Sequence, residues 1–202
     1  MSVFEQISCA VLAGGQSKRM GQPKQDIMIN GRRLLELQTE KLRNAGFTDI
    51  MVSCAKDSDM IIPCCARCVK DREENAGPLE GIRSVLEASQ HELCLIIGVD
   101  CVLADAELIT MLVNTAAKRR SPITLIASEA GPEPLMGVYS KGLLPEASEL
   151  IASGKRAVKD LFIKNEPVLI ELDKNDRRLL NCNTPEDLNT LLKYCSEHPE
   201  AL

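Results

Sequence analysis

Leu12-Ala13-Gly14-Gly15-Gln16-Ser17-Lys18-Arg19-Met20-Gly21-Gln22-Pro23-Lys24 is the stretch from which the rest of the chain is read. It follows Ile7-Ser8-Cys9-Ala10-Val11, a short apolar run that fits a buried parallel strand. Gly14 and Gly15 then give backbone freedom and let main-chain N–H groups approach an anion with no Cβ in the way. Ser17, Lys18, Arg19 and Lys24 add a hydroxyl and three cations close to that turn. A strand leading into a glycine turn and a basic loop suits a triphosphate. The spacing is neither that of a Walker A loop nor that of the Gly-x-Gly-x-x-Gly dinucleotide fingerprint.

The chain has 202 residues, enough for one α/β domain with a substantial core, and one domain over 1–202 is expected. Aromatic residues are scarce and Trp is absent, so that core is built from Leu, Ile, Val, Ala and Met. With 24 basic and 29 acidic residues the net charge is −5, and no long run of one sign occurs. Such a balance argues against a nucleic-acid partner, which requires clustered Lys and Arg. No apolar run reaches membrane-spanning length and no signal-peptide pattern opens the chain, so no membrane association and a cytoplasmic location are expected. The nine cysteines are therefore expected as reduced thiols, with Cys9, Cys54 and Cys94 acting as small hydrophobes in strands. Cys64-Cys65-Ala66-Arg67-Cys68 contains a Cys-x-x-Cys, but no second pair has matching spacing, and the start of a strand explains it better than a metal site.

Beyond the glycine loop, Asp26 to Ile29 with Asn30-Gly31 reads as a short strand and tight turn. Arg33 to Ala45 has helical periodicity closed by Gly46. Strands are expected at Ile50–Cys54 and at Cys68–Lys70, and a helix begins around Gly77-Pro78 and runs to about Ser89. Leu93 to Val99 is nearly uninterrupted apolar sequence, the best candidate for a strand covered on both faces. A helix at Asp105–Ala117 and strands at Pro122–Ala127 and Pro134–Tyr139 come next, the last expected as an antiparallel edge strand. Helices around Leu143–Ala152 and Val158–Phe162, a strand at Val168–Leu172 and a capped helix starting at Thr184-Pro185 complete the series. This alternation predicts an α/β fold, a doubly wound, mostly parallel sheet with helices on both faces.

In such sheets ligands bind outside the carboxyl ends of the strands. Gly14-Gly15, Asp71 and Asp100 all fall at those ends, so the fold should gather them on one rim. Asp100, at the mouth of the most apolar strand, needs a partner, and Mg²⁺ is the natural one beside a triphosphate. It could instead cap the following helix, but Asp105 is better placed to do so.

Leu-Ala-Gly-Gly, a short spacer, Arg-Met-Gly and a lysine together resemble the signature of the molybdenum cofactor guanylyltransferases and their MobA-like nucleotidyltransferase relatives. Gly77-Pro78-Leu79-Glu80-Gly81 and Asn181-Cys182-Asn183-Thr184-Pro185-Glu186-Asp187-Leu188 match two further elements of that family. The resemblance implies that the main chain of Leu12, Ala13 and Gly14 contacts a base, that Gly15 and Ser53 also bind nucleotide, and that Lys24 and Arg19 contact phosphate. It implies that Asp71 binds nucleotide and that Asp100 holds Mg²⁺ and the nucleotide. Asn181 and Asn183 would face a pterin-bearing substrate, although Asn183 equally serves the turn before its helix, and Gly154-Lys155-Arg156 resembles a basic segment on the substrate side. Three departures stand out: Ser53 where the family has asparagine, no prolines beside Asp100, and Glu133 where relatives carry histidine.

The implied reaction is transfer of GMP from Mg-GTP to the terminal phosphate of molybdopterin, or its molybdenum-loaded form, with release of pyrophosphate. GTP, molybdopterin and other cofactor-biosynthesis proteins are the implied partners. A cytidylyltransferase for the same pterin, a sugar-phosphate nucleotidyltransferase and a non-catalytic nucleotide sensor are the alternatives.

Overall fold

The structure, a computed structural model, describes residues 2–14, 20, 22–74 and 77–199. Nine strands and five α-helices lie along them: β1 (Ser8–Leu12), β2 (Met28–Ile29), β3 (Arg32–Arg33), α1 (Leu34–Ala45), β4 (Ile50–Cys54), β5 (Arg67–Lys70), α2 (Pro78–Ala88), β6 (Leu93–Gly98), α3 (Ala106–Arg119), β7 (Ile123–Ser128), β8 (Gly131–Ser140), α4 (Leu144–Ala152), β9 (Val168–Glu171) and α5 (Pro185–Glu197). The segment Val158–Ile163, expected as a helix, is a 3₁₀ helix.

Seven strands form one sheet in the order β5-β4-β1-β6-β8-β7-β9. β5, β4, β1 and β6 are mutually parallel, as the crossovers through α1 and α2 require. β8 pairs antiparallel with both β6 and β7, and β9 returns parallel to β7. The expected antiparallel strand is therefore present, but it lies inside the sheet; the edges are β5 and β9. β8 uses both of its edges, the Met136–Ser140 half pairing with β6 and the whole strand with β7 across a register shift at Leu125/Ile126.

Strand alternation distributes the core to two faces. Cys9, Val11, Ile50, Val52, Leu95 and Ile97 pack under α1, α3 and α5, while Ala10, Leu12, Met51, Cys94 and Ile96 pack under α2 and α4. Leu79, Ile82, Val85 and Leu86 of α2 are all fully buried, the i, i+3, i+6, i+7 stripe of a helix laid on a sheet. Each of those side chains contributes roughly 1.5–3 kcal/mol by leaving water.

Local chemistry sets the ends of these elements. Asn30 and Gly31 take φ of 50° and 76° between β2 and β3, the paired left-handed conformation of a tight hairpin. Asp105 caps α3 by accepting from the Leu108 N–H at 2.8 Å, which frees Asp100 from that task. Thr184 and Asp187 form a reciprocal capping box at α5. Cys68 lies within β5, and among the described residues no group of three or more His, Cys, Asp or Glu is placed to hold a metal. No helix of the described residues is long and apolar enough to cross a membrane.

Two side chains of α1 reach across to the loop that follows β6. Gln38, fully buried, donates to the Gly98 C=O at 3.0 Å, and the Lys41 ammonium donates to the Val102 C=O. Burial pushes the Lys41 side chain down to about 8, with Asp105 acting in the opposite direction. Between about 8 and the ordinary value of 10.5 the unfolded chain then binds more protons at this position than the folded one. Folding stability rises with pH across that window.

Two predictions follow from this packing. A Cβ on Gly137 would strike the Leu125 side chain and stand 2.7 Å from the Thr124 carbonyl oxygen. Gly137→Ala should cost about 2 kcal/mol in urea unfolding, and a change under about 0.5 kcal/mol would contradict the close approach of β8 to β7. Lys41→Met should remove the alkaline rise, so the wild-type minus variant stability grows between pH 7.5 and pH 10. A difference independent of pH would show that Lys41 is not held as described.

Candidate active site

The register of β1 aligns three strand ends. Leu12 stands opposite Ser53 of β4 on one side and Gly98 of β6 on the other. Past the last rungs the pairing continues: the Ala13 N–H donates to the Ser53 C=O at 3.0 Å, and the Val99 N–H donates to the Leu12 C=O at 3.1 Å. The Leu12 carbonyl and the Ala13 amide are thus engaged by the sheet, and the main chain turns outward at Gly14. A Cβ on Gly14 would lie 3.4 Å from the Ala55 amide nitrogen and 3.6 Å from Asp71 Oδ2, so the turn runs tightly along the end of β4. Gly15 and Arg19, with Ser17 and Lys18, lie outside the described residues.

Asp71 follows β5 directly, and its N–H donates to the Cys54 C=O at 3.0 Å. The buried Ser53 hydroxyl donates to Asp71 Oδ1 at 3.3 Å. Burial is the main cause that pushes the Asp71 carboxyl up to about 6, the charge of Glu80 adds to it, and the Ser53 hydrogen bond and Arg83 oppose it. α2 comes close at this point because it carries glycine: a Cβ on Gly81 would stand 3.0 Å from Ser53 Oγ. Gly14, Ser53 and Asp71 therefore form one wall of a site.

The other wall begins at Asp100. Gly98 is needed two residues earlier, since a Cβ there would lie 2.7 Å from Asp100 Oδ1. Lys24 sits in the short 3₁₀ helix Lys24–Asp26, and its ammonium donates to Asp100 Oδ2 at 2.5 Å and to Asn183 Oδ1 at 2.7 Å. The Lys24 and Asp100 side chains are 18% and 15% exposed, so this charge pair faces the rim without being lost in it. Asn181 Oδ1 accepts from the Cys101 thiol at 3.2 Å. The Asn183 N–H donates to Asp187 Oδ2 at 3.0 Å, so Asn183 shapes the turn into α5 while its side chain meets Lys24. Glu133 of β8 is raised above the ordinary carboxylate range by burial and then by the charge of Asp100.

Lys24, Asp100, Asn181 and Asn183 thus come together, and Leu12 joins them to Gly14, Ser53 and Asp71. The basic segment lies against the start of α2. The Arg156 carbonyl oxygen is 3.0 Å from the position of a Gly77 Cβ, and Lys155 and Arg156 pair with Asp160 and Glu73. Gly77, at φ 75°, makes that close passage possible. Sequence reading missed Gln38, Lys41, Glu80 and Arg83. Gln38 had a signal, a polar residue inside the apolar stripe of Leu34, Leu35 and Leu42.

Asp100 is a single half-buried carboxylate with a second, Glu133, in its field. That donor set suits Mg²⁺, which keeps several waters and takes one or two carboxylates beside substrate phosphates.

The chain is similar in sequence and fold to several known proteins. Residues 9–168 match the model of the MobA-like NTP transferase domain. The molybdenum cofactor guanylyltransferase of Pseudomonas fluorescens (strain Pf0-1) is 30% identical over 185 residues, covering 91% of this chain and 92% of that protein. Molybdopterin-guanine dinucleotide biosynthesis protein A from Archaeoglobus fulgidus superposes with a TM-score of 0.80 at 23% identity, over 94% of this chain and 99% of that one. Rv0371c of Mycobacterium tuberculosis H37Rv, in complex with manganese, has the same fold at a TM-score of 0.70 and 16% identity, over 93% and 98% of the two chains. A sheet whose strand ends gather these groups, together with a family match over most of its length, places the chain in the MobA-like NTP transferase family of nucleotidyltransferases.

Proposed function

We propose that this chain transfers GMP from GTP to the terminal phosphate of molybdopterin, or of its molybdenum-loaded form, and releases pyrophosphate. The observation that carries the reading is the Lys24 ammonium shared between Asp100 and Asn183, which joins the glycine loop, the end of β6 and the Asn-x-Asn element at one point. Relatives named as molybdenum cofactor guanylyltransferases over nearly their whole length support the choice of substrates.

The base and ribose are assigned to the wall formed by Gly14, Ser53 and Asp71, the triphosphate to Lys24 and Arg19, and the pterin phosphate to the side of Asn181 and Asn183. An acceptor phosphate oxygen attacks the α-phosphorus in line, and the bond from that phosphorus to the α,β-bridging oxygen breaks as pyrophosphate leaves. The acceptor is already ionised near neutral pH, so no general base is required, and neither His91 nor His198 stands at a strand end. Catalysis rests on orientation and on neutralising charge at the phosphate oxygens. Asp100 would hold a Mg²⁺, which when bound polarises the α-phosphate. Lys24 leaves its contact with Asp100 to meet the leaving phosphates, and Asn183 keeps the ammonium in reach during that exchange.

Asp100→Asn should lower the rate of pyrophosphate release from GTP and molybdopterin at least about 100-fold while the thermal melt stays near that of the wild type. Turnover near the wild-type rate would remove Asp100 from the reaction. Mg-GTP should raise the melting temperature more than Mg-CTP at equal concentration; the reverse order would assign the chain to cytidylyl transfer. Tight GTP binding with no pyrophosphate release would identify a nucleotide sensor instead.

A further inference from the structure

The first turns of α2 hold a charge pair with no evident place in the interior. Glu80 and Arg83 are 1% and 5% exposed, three residues apart on a helix that otherwise buries an apolar stripe. The Arg83 guanidinium donates twice to Glu80, Nε to Oε2 at 2.8 Å and Nη2 to Oε1 at 2.6 Å, and Nη1 donates to Glu87 at 3.0 Å. Ser84 closes the group through its hydroxyl, which donates to Glu80 Oε1 and accepts from Arg83. Desolvation of two ions offsets much of their attraction, and an apolar pair of similar volume often stabilises a fold as well or better. Stability is therefore a weak reason for the pair, and its contact with the neighbouring loop supplies another. Glu80 Oε1 accepts from the Arg72 N–H at 2.8 Å, and the Arg72 guanidinium reaches Glu87 two turns further along α2.

Arg72 is the residue immediately after Asp71. We infer that Glu80 and Arg83 are positioning residues of the nucleotide site: the buried pair clamps the Asp71–Arg72 turn to α2 and so presents the Asp71 carboxylate beside Ser53 and Gly14. The inference rests on Asp71 as a contact to the nucleoside, as proposed above. Among the described residues, the groups facing Asp71 are Glu80 and Arg83 from α2 and Ser53 and Cys54 from β4, with Lys70 and Arg72 as chain neighbours. The ionised carboxylate accepts N–H or O–H donors of a nucleoside through both oxygens and more strongly than the protonated acid, which turns one oxygen into a donor. Nucleotide binding should therefore weaken as pH falls through about 6. Glu80 itself is held ionised against burial by Arg83 and by the Arg72 N–H.

The test compares wild type, Asp71→Asn, Glu80→Gln and the apolar double variant Glu80→Leu/Arg83→Met. Mg-GTP affinity is measured by calorimetry from pH 5.5 to 8, and the Asp71 carboxyl is followed by ¹³C NMR in the nucleotide-free protein. Variant-to-wild-type ratios cancel the titration of the nucleotide's own phosphates. Glu80→Gln should weaken Mg-GTP about tenfold at pH 7.5 and lower the Asp71 midpoint, because a neighbouring negative charge is gone. Should Glu80→Gln fail to fold, the double variant decides. It should melt at or above the wild-type temperature and still lose about tenfold in affinity, a separation that a purely structural pair would not give. Asp71→Asn should flatten the dependence on pH. A double variant that binds Mg-GTP like the wild type, while Asp71→Asn binds weakly, would overturn the inference and leave Asp71 in the site. An Asp71→Asn variant with wild-type affinity at every pH would overturn the nucleotide role of Asp71 and the inference with it.

Discussion

The register of β1 between β4 and β6 is the constraint on which the site depends. All five residues of this strand are buried, so its backbone groups must pair with neighbours on both sides, and a slip in register would leave polar groups unpaired or turn side chains to the wrong face. Once Leu12 stands opposite Ser53 and Gly98, the turn at Gly14, the Asp71 that follows β5 and the Asp100 that follows β6 have no freedom to separate. Residues scattered over nearly ninety positions of sequence become neighbours because parallel strands end together. Gly81 and Gly98 serve the same purpose at close range, each removing a Cβ that would crowd a site group, Ser53 Oγ and Asp100 Oδ1 respectively.

Electrostatics complete what the register begins. The Lys24 ammonium neutralises Asp100 where burial would otherwise penalise its charge, and it draws the start of α5 to the rim through Asn183. A polyphosphate entering this site competes with Asp100 for Lys24, and a divalent cation competes with Lys24 for Asp100. On the proposed assignment, metal and nucleotide would relieve each other's cost, and binding of the two would be coupled. The loop that carries Asp100 has no proline beside that residue. Here Gln38 and Lys41 of α1 hold it by its carbonyls, and the Cys101 thiol ties it to Asn181. Side-chain tethers from a neighbouring helix replace stiffness of the backbone.

Much of this was legible in the residues. Ile50–Cys54 matched its expected limits, Asp105 and Thr184 capped their helices as their types and positions suggested, and the strand-end rule brought Asp71 and Asp100 to one rim with Gly14. These features are local, or follow from a rule about parallel sheets. The place of β8 was not legible, because an apolar run of that length says that a strand is buried and not which strands flank it. Nothing in the sequence marked the Glu80–Arg83 pair, since a glutamate and an arginine three residues apart fit an exposed helix face, and the packing of α2 against the sheet and α4 buries them. Asn183 offered two roles in sequence, and the fold uses its main chain for the turn and its side chain for Lys24.

The most direct test of the account is a crystal structure of the protein with Mg²⁺ and a non-hydrolysable GTP analogue. The nucleoside should lie against Gly14, Ser53 and Asp71, the phosphates should have drawn Lys24 away from Asp100, and the metal should sit on the Asp100 carboxylate. A nucleotide bound at the opposite ends of the strands, or one bound with the Lys24–Asp100 contact intact and no phosphate beside it, would contradict the account.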